Sequence, residues 1–183
     1  MIINKQDFNV NGLTYTVRSA VDKDALALSE LRLQIDGETE NLDREKGEGF
    51  IDASGFEQLI QSDTENKRNL FLVAVVYDRI VGFSRCEGNH LLRSSHKVEF
   101  GICVLKEFWG FHMGKNLLME SVSWADTNGI TKITLNVLET NEKAIKLYTK
   151  LGFEVEGILK KDKILSDGLY YNTIVMGRFL HKS

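Results

Sequence analysis

The chain has 183 residues and a mass of 20.8 kDa, a length that suits one domain. Its 23 basic and 26 acidic residues give a net charge of -3, which argues against a broad basic face for nucleic acid. Two cysteines, Cys86 and Cys103, are too few for a disulfide framework and favour a reducing, cytoplasmic compartment. No apolar run approaches about 18 residues and the first residues turn polar early, so we expect neither a membrane span nor a secretory signal.

The N-terminal third predicts one strand and two helices. Residues 13–17 alternate apolar and polar side chains, which is typical of a half-buried strand. Asp22 stands where it can cap a helix whose apolar face consists of Ala25, Leu28, Leu31 and Ile35. Residues 36–53 are acidic and aperiodic, which predicts a long loop with room for one short helical turn. A capping box predicts a second helix from Ser54 to about Gln61.

The remaining chain predicts strands first and then alternating helices and strands. An antiparallel meander is expected at residues 70–76, 80–85 and 96–104. Two helices are expected at about 113–128 and 141–151, with a strand between them at 131–138. Two further strands are expected at 153–159 and 170–179. Residues 160–168 are read as a polar connection. The order predicts an α/β fold: one mixed sheet of about six to seven strands with flanking helices.

Residues 104–118 carry the clearest chemical signal, because they join a buried strand to an amphipathic helix through a turn that holds Gly110 and Gly114. The first turn of a helix has N–H groups without intrahelical acceptors and the positive end of the dipole, which together favour an anion. Lys115 adds a full positive charge. The glycine spacing fits neither the Walker motif nor the dinucleotide motif. The residues alone therefore leave two alternatives open, a phosphate site and an ordinary strand–turn–helix.

The same segment resembles the pyrophosphate loop of the GNAT superfamily of acyl-CoA-dependent N-acetyltransferases, usually written Arg/Gln-x-x-Gly-x-Gly/Ala. Trp109 stands at the first position of that motif, His112 at the first glycine and Gly114 at the last. A second block, residues 141–153, matches the family-like pattern Asn-x-x-Ala-x-x-Leu-Tyr-x-x-Leu-Gly-Phe. The resemblance covers roughly residues 70–179.

The resemblance implies that residues 1–183 form a single N-acetyltransferase domain with acetyl-CoA as co-substrate. Its pantetheine arm is expected in a gap where two central parallel strands, 96–104 and 131–138, splay apart. A backbone N–H of Cys103 or Val104 would then hold the thioester carbonyl as an oxyanion donor. The cofactor-binding residues that the resemblance implies are Ile102, Cys103, Val104, Trp109, Gly110, Phe111, His112, Met113, Gly114, Lys115, Asn141, Ala144 and Tyr148.

His112 departs from the family pattern. If the loop requires a positive φ at this position, a histidine is strained where a glycine is not. Two consequences stay open: His112 adds a hydrogen-bond donor to the pyrophosphate, or the affinity for the cofactor is weakened.

The resemblance makes Tyr148 the general acid that protonates the coenzyme A thiolate, whereas spacing alone is typical of a core tyrosine. A primary amine is mostly protonated at neutral pH, so a base must take its proton. Glu99, just before the expected cofactor segment, is the first candidate, and His96 is the second. A solvated strand glutamate is the alternative for Glu99.

Two further chemistries are disfavoured. A covalent acetyl-enzyme on Cys103 is less common than a small buried cysteine on a core strand. Cys86, His90, His96 and Cys103 lie close together in sequence, but their spacing fits no usual zinc pattern, so we expect no metal site.

The acceptor is the least determined part of the hypothesis. The acidic loop 36–53 suits a cationic amine or serves only solubility, whereas Arg93 and His96 would suit an acidic acceptor. The function predicted is transfer of an acetyl group to a primary amine, of a small molecule or a protein, by direct attack in a ternary complex. A non-catalytic coenzyme A-binding module and a protein–protein adaptor remain alternatives. The resemblance also allows a homodimer.

Overall fold

The computed structural model describes residues 2–180 and contains, in that range, one mixed sheet with strand order β1-β2-β3-β4-β5-β6-β8-β7. The strands are β1 (Gln6–Val10), β2 (Leu13–Ser19), β3 (Leu70–Val76), β4 (Arg79–Gly88), β5 (Lys97–Val104), β6 (Lys132–Leu138), β7 (Glu154–Ile164) and β8 (Tyr170–Phe179). The helices are α1 (Ala25–Asp36), α2 (Ala53–Glu65), α3 (Met113–Thr127) and α4 (Glu142–Lys150). The predicted mixed α/β class is confirmed.

Helices cover both faces of the central strands. Successive side chains of a strand point to opposite faces of its sheet. Phe83 of β4 packs edge-on against Phe56 of α2, with 6.4 Å between ring centroids, while the next residue, Ser84, lies 3.4 Å from Ser121 of α3. The helices α2 and α3 therefore lie on opposite faces, which explains why nearly every residue of β3 is buried.

The eighth strand, β1, is one more than the sequence predicts. It pairs with β2 through a tight turn in which Asn11 and Gly12 both have positive φ, at 51° and 81°. An Asn-Gly pair between two alternating segments is a strong hairpin signal, so the sequence did contain the information. The strand was missed because its five residues carry only two apolar side chains, Phe8 and Val10.

The structure differs from the sequence prediction at the end of β7, at both ends of α2 and at the start of α1. The polar connection at 160–168 is largely strand, because β7 continues to Ile164; its charged residues suit an exposed sheet edge. Helix α2 is capped by Asp52, whose carboxylate accepts the Gly55 N–H at 2.8 Å, and it runs to Glu65. Asp22 lies in a short 3-10 turn and does not cap α1. Residues 37–52 form the expected loop, with a hydrogen-bonded turn from the Glu48 N–H to the Glu45 carbonyl at 3.1 Å.

The two central parallel strands splay apart as expected. Strands β5 and β6 pair over only three positions, Lys97 with Lys132, Val98 with Ile133 and Glu99 with Thr134. Beyond them β5 stays paired with β4 as far as Val104, while β6 stays paired with β8 as far as Leu138. A gap therefore opens in the sheet between the C-terminal halves of β5 and β6.

Within residues 2–180, no helix is both long enough and apolar enough to cross a membrane.

Candidate active site

The N-terminus of α3 presents free main-chain donors beside the gap. The first α-helical hydrogen bond runs from the Asn116 N–H to the His112 carbonyl at 2.9 Å. The N–H groups of Met113, Gly114 and Lys115 precede it and have no intrahelical acceptor. They lie at the positive end of a 15-residue helix dipole, so this turn can hold an anion.

The loop before α3 has a left-handed backbone at two residues. Gly110 has a φ of 92°, and His112 has a φ of 58° and a ψ of 16°. The positive φ that would make a histidine unfavourable at this position is therefore present. Histidine tolerates this region better than most residues, but the conformation still costs about 1–2 kcal/mol.

The main chain of β5 determines which of its groups face the gap. The Leu105 N–H donates to Val81 on the β4 side, whereas the His96 carbonyl accepts from Thr131 on the β6 side. Because direction alternates along a strand, odd-numbered residues of β5 pair with β4 and even-numbered residues face β6. Ile102 and Val104 therefore direct their N–H groups into the gap, while Cys103 directs its N–H toward β4.

The indole of Trp109 closes the end of β5. Its Nε1–H donates to the Val104 carbonyl at 2.9 Å, and 46% of the residue remains exposed. Gly114 lies against the same strand, because a Cβ atom at that glycine would be 3.7 Å from Ile102 Cδ1. The structure thus brings the predicted loop and the predicted strand segment together.

Helix α4 carries the second predicted block. Asn141 caps it, with the side-chain oxygen accepting the Ala144 N–H at 3.3 Å. Tyr148 is 8% exposed and its ring lies 5.9 Å from that of Phe153. No other residue within 2–180 hydrogen-bonds its hydroxyl, whose oxygen keeps some contact with solvent. Burial raises the pKa of Tyr148 to about 12, so the hydroxyl keeps its proton at neutral pH.

The two candidate bases differ in position. Glu99 is exposed and occupies the last paired position of β5 and β6, where the gap begins. The residue that pairs with Glu99 on the adjacent strand β4 is Glu87. His96 precedes β5, and its carbonyl holds the first residues of β6 at the closed end of the strand pair.

The surroundings of the two cysteines disfavour the thiolate form that a nucleophile needs. Burial raises the pKa of the Cys103 thiol well above its ordinary value, and the Asp36 carboxylate adds to the rise. Burial likewise raises the pKa of Cys86 to about 12. In the described part of the chain, no three His, Cys, Asp or Glu side chains are grouped so that they could hold a metal ion.

A cleft of about 480 Å³ lies at the open end of the gap. Its walls come from residues 36–41, from Lys106 and Trp109 after β5, from Leu138 at the end of β6 and Thr140 after it, and from Leu165. It is therefore the place where the loop after α1 meets the ends of both splayed strands.

Carboxylates of the cleft wall hold its segments together. Glu38 accepts the Lys106 N–H at 2.8 Å, and Glu40 accepts the Ser166 N–H at 2.8 Å. Asp36 is buried and is paired with Arg44 at 3.1 Å. These three acidic residues therefore hold the cleft wall together, and Asp36 is charge-paired with Arg44 while it does so.

Sequence reasoning missed two residues that support the α3 loop. Tyr15 of β2 donates its hydroxyl to the Phe111 carbonyl at 3.1 Å and accepts from Asn116 Nδ2 at 2.6 Å. Burial raises the pKa of the Tyr15 hydroxyl above its ordinary value. The only available signal was an amide side chain in the first turn of an otherwise apolar helix face, since Tyr15 is almost 100 positions away.

A family model described as the acetyltransferase (GNAT) family matches residues 37–153. The L-amino acid N-acetyltransferase AaaT of Escherichia coli K12 is 34% identical over 108 residues, which cover 58% of this chain and 66% of that protein, just under two thirds of its length. The spermidine N(1)-acetyltransferase of Escherichia coli K12 is 32% identical over 141 residues, which cover 74% of this chain and 70% of that protein.

Solved structures show the same fold. A GNAT-family acetyltransferase from Streptococcus pneumoniae superposes with a TM-score of 0.88 at 24% identity, over 91% of this chain and 99% of that one. The yncA protein of Salmonella typhimurium, solved with its cofactor acetyl-CoA, has a TM-score of 0.81 at 18% identity, over 92% of this chain and 95% of that one.

Proposed function

We propose, from the premise that this chain belongs to the acetyltransferase (GNAT) family, that it is an acetyl-CoA-dependent N-acetyltransferase acting on a small-molecule amine. The observation that carries the proposal is the coincidence of two features at one place. The parallel strands separate after Glu99, and the free N–H groups at the start of α3 lie beside the opening. A gap lined by strand backbone suits an amide-bearing arm, and a helix N-terminus suits a diphosphate.

The direction of the N–H groups along β5 supports a position for the thioester carbonyl of the cofactor. An N–H that faces the gap can stabilise the oxyanion formed when an amine attacks the thioester carbonyl. Of the two donors expected from the sequence, Val104 is supported and Cys103 is not, because the N–H of Cys103 faces β4. Ile102 offers a second donor on the same side.

The proposed reaction is a direct transfer in a ternary complex. The nitrogen lone pair of a neutral amine forms a bond to the carbonyl carbon, the C–S bond breaks, and the sulfur leaves as a thiolate. Tyr148 is proposed to supply the proton that the thiolate takes, which its protonated hydroxyl, free of hydrogen bonds to other residues within 2–180, supports. The nitrogen then loses one proton to water, and water restores the proton that Tyr148 gives up. Asn141 is proposed to contact the cofactor arm, although its side-chain oxygen already caps α4.

We propose that Glu99 accepts the amine proton, directly or through water. Its carboxylate is exposed at the start of the gap, whereas His96 lies beyond the paired residues at the other end. A comparison of Glu99→Gln with His96→Gln tests this assignment. Loss of the base is expected to lower kcat about 100-fold in the glutamate variant and to have little effect in the histidine variant.

A cationic or zwitterionic amine is the proposed acceptor. The cleft is lined by the carboxylates of Glu38 and Glu40 and by Trp109, whereas Asp36, also in the wall, is already paired with Arg44. The two matched enzymes are named for amino acids and for spermidine, both of which carry primary amines. We also propose a cytoplasmic location, which suits the two free cysteines, and a homodimer, which light scattering can test.

The proposal is tested by thiol release from acetyl-CoA across a panel of spermidine, L-amino acids and a peptide with a free N-terminus. A thermal-shift measurement with coenzyme A runs beside it, because a ligand that binds only the folded state raises the melting temperature. Turnover with at least one amine is the expected result. Stabilisation without turnover would instead indicate a non-catalytic coenzyme A-binding module, and absence of both would indicate an adaptor.

A further inference from the structure

A buried polar network lies directly under the loop that begins α3. The Tyr15 hydroxyl donates to the Phe111 carbonyl at 3.1 Å, and Asn116 Nδ2 donates to the Tyr15 hydroxyl at 2.6 Å. The Asn116 main-chain N–H donates to the His112 carbonyl at 2.9 Å. Tyr15 is 1% exposed and Asn116 is 8% exposed, so the hydrogen bond between their side chains is shielded from water.

These contacts fix the direction of two N–H groups. A peptide unit is planar and trans, so its C=O and its N–H point in opposite directions. A Phe111 carbonyl held inward by Tyr15 directs the His112 N–H outward. A His112 carbonyl held by Asn116 along the helix likewise directs the Met113 N–H away from the helix body.

The network also acts where the backbone is strained. His112 has a φ of 58°, and such a conformation in a residue other than glycine persists only when its surroundings hold it. The carbonyls on either side of the His112 Cα, those of Phe111 and His112, are the two that the network holds. Tyr15 is itself held by stacking on Phe8 of β1, with 5.5 Å between ring centroids.

We propose that Tyr15 and Asn116 are positioning residues that hold residues 111–113 in the left-handed conformation required to bind the diphosphate of acetyl-CoA. This inference rests on the proposed function, because it assigns the diphosphate to the α3 loop. Neither residue touches the reacting atoms, so both act through the main chain that they orient.

The test measures coenzyme A affinity by calorimetry and kcat at saturating substrates for the wild-type protein and for Tyr15→Phe. Removal of the hydroxyl leaves the Phe111 carbonyl without its donor and allows His112 to relax. The dissociation constant is expected to rise about tenfold, while kcat stays within about twofold. Ser29→Ala is the matched control, because it removes another buried hydroxyl that donates to a main-chain carbonyl, that of Ile51 at 2.6 Å. It should reduce stability while leaving coenzyme A affinity unchanged.

Rescue by His112→Gly distinguishes positioning from general stability. Glycine adopts the left-handed conformation without strain, so the loss caused by Tyr15→Phe should shrink to about threefold when residue 112 is glycine. An equal loss in both backgrounds would overturn the inference, as would unchanged affinity in Tyr15→Phe. Asn116→Leu, which preserves side-chain size, provides the same measurement if Tyr15→Phe does not fold. A wild-type protein that binds no coenzyme A would overturn the proposed function together with this inference.

Discussion

The two sides of the cleft are made of different chemical groups. The side proposed to bind the cofactor (the cofactor side), residues 102–115 with α4, offers mainly backbone groups: N–H groups of β5 and of the first turn of α3. The side proposed to bind the amine (the acceptor side), residues 36–41 with the tip of the β7–β8 hairpin, offers side chains, chiefly carboxylates.

This difference explains why the cofactor side is easier to predict from the sequence than the acceptor side. Backbone donors are placed by local rules of strand direction, glycine conformation and helix termini, and those rules leave a motif in the sequence. Side-chain carboxylates on a loop can serve a substrate, a neighbouring N–H or solvent equally well. On the acceptor side Glu38 and Glu40 are already bonded to backbone, so charge alone does not identify their role.

The largest expected effect concerns the proton donor. Tyr148→Phe removes one hydroxyl from the cofactor side and leaves the ring and its packing against Phe153. We expect kcat to fall about 100-fold or more while the dissociation constant of coenzyme A changes less than about twofold. Thiol-release kinetics and calorimetry measure the two quantities. An unchanged kcat would remove Tyr148 from the mechanism.

The second prediction separates the two sides. Glu38→Ala deletes the acceptor of the Lys106 N–H and loosens residues 36–41 from the end of β5. KM for the amine should rise about fivefold, in line with the loss of one hydrogen bond, without a change in coenzyme A affinity. Glu38→Gln keeps an acceptor oxygen for the Lys106 N–H but removes the negative charge, so its KM for the amine should lie between those of the wild type and Glu38→Ala. Weaker coenzyme A binding in Glu38→Ala would mean that the two sides are not independent.

The third prediction uses pH. Burial raises the pKa of Tyr148 to about 12 from 10.0, so above pH 10 the folded protein holds this proton more tightly than the unfolded chain does. The contribution to stability is therefore complete below pH 10 and is lost as the pH rises through 12. Between about pH 9 and pH 11, the wild type should lose about 1 kcal/mol more unfolding free energy than Tyr148→Phe. Urea titrations check this, and equal losses would place the hydroxyl in water.

The smallest expected effect concerns loop strain. His112→Gly removes the strain of a left-handed histidine, which costs about 1–2 kcal/mol. Glycine also gives the unfolded chain more conformational entropy, which lowers the unfolding free energy by about 0.5–1 kcal/mol. The net gain in unfolding free energy should be under about 1 kcal/mol, or roughly 2–4 °C in melting temperature. Asn11→Gly, at a second left-handed position far from the cofactor side, is a matched control for the backbone effect. A destabilised His112→Gly would show that the histidine side chain contributes more than its strain costs.

Local sequence signals predicted most of the fold. Residues 70–76 are apolar and β-branched, so burial on both faces followed from composition, and the helical stripes of α1 and α3 followed from their spacing. The local sequence signals gave a wrong prediction where the position of a segment in the sheet outweighs its amino-acid composition. Residues 160–163 are charged, which predicts a polar connection, yet together with Ile164 they extend an edge strand whose outer side faces water.

The sequence by itself determined the turn with Gly110 and Gly114, the cap at Asn141 and the tyrosine two turns later, because each depends on residues close together in the chain. Only the tertiary structure decided which N–H of β5 faces the gap, since that follows from pairing with β4. It also decided that Tyr15 supports the loop, because a hydrogen bond across 96 positions leaves no periodic trace in the sequence.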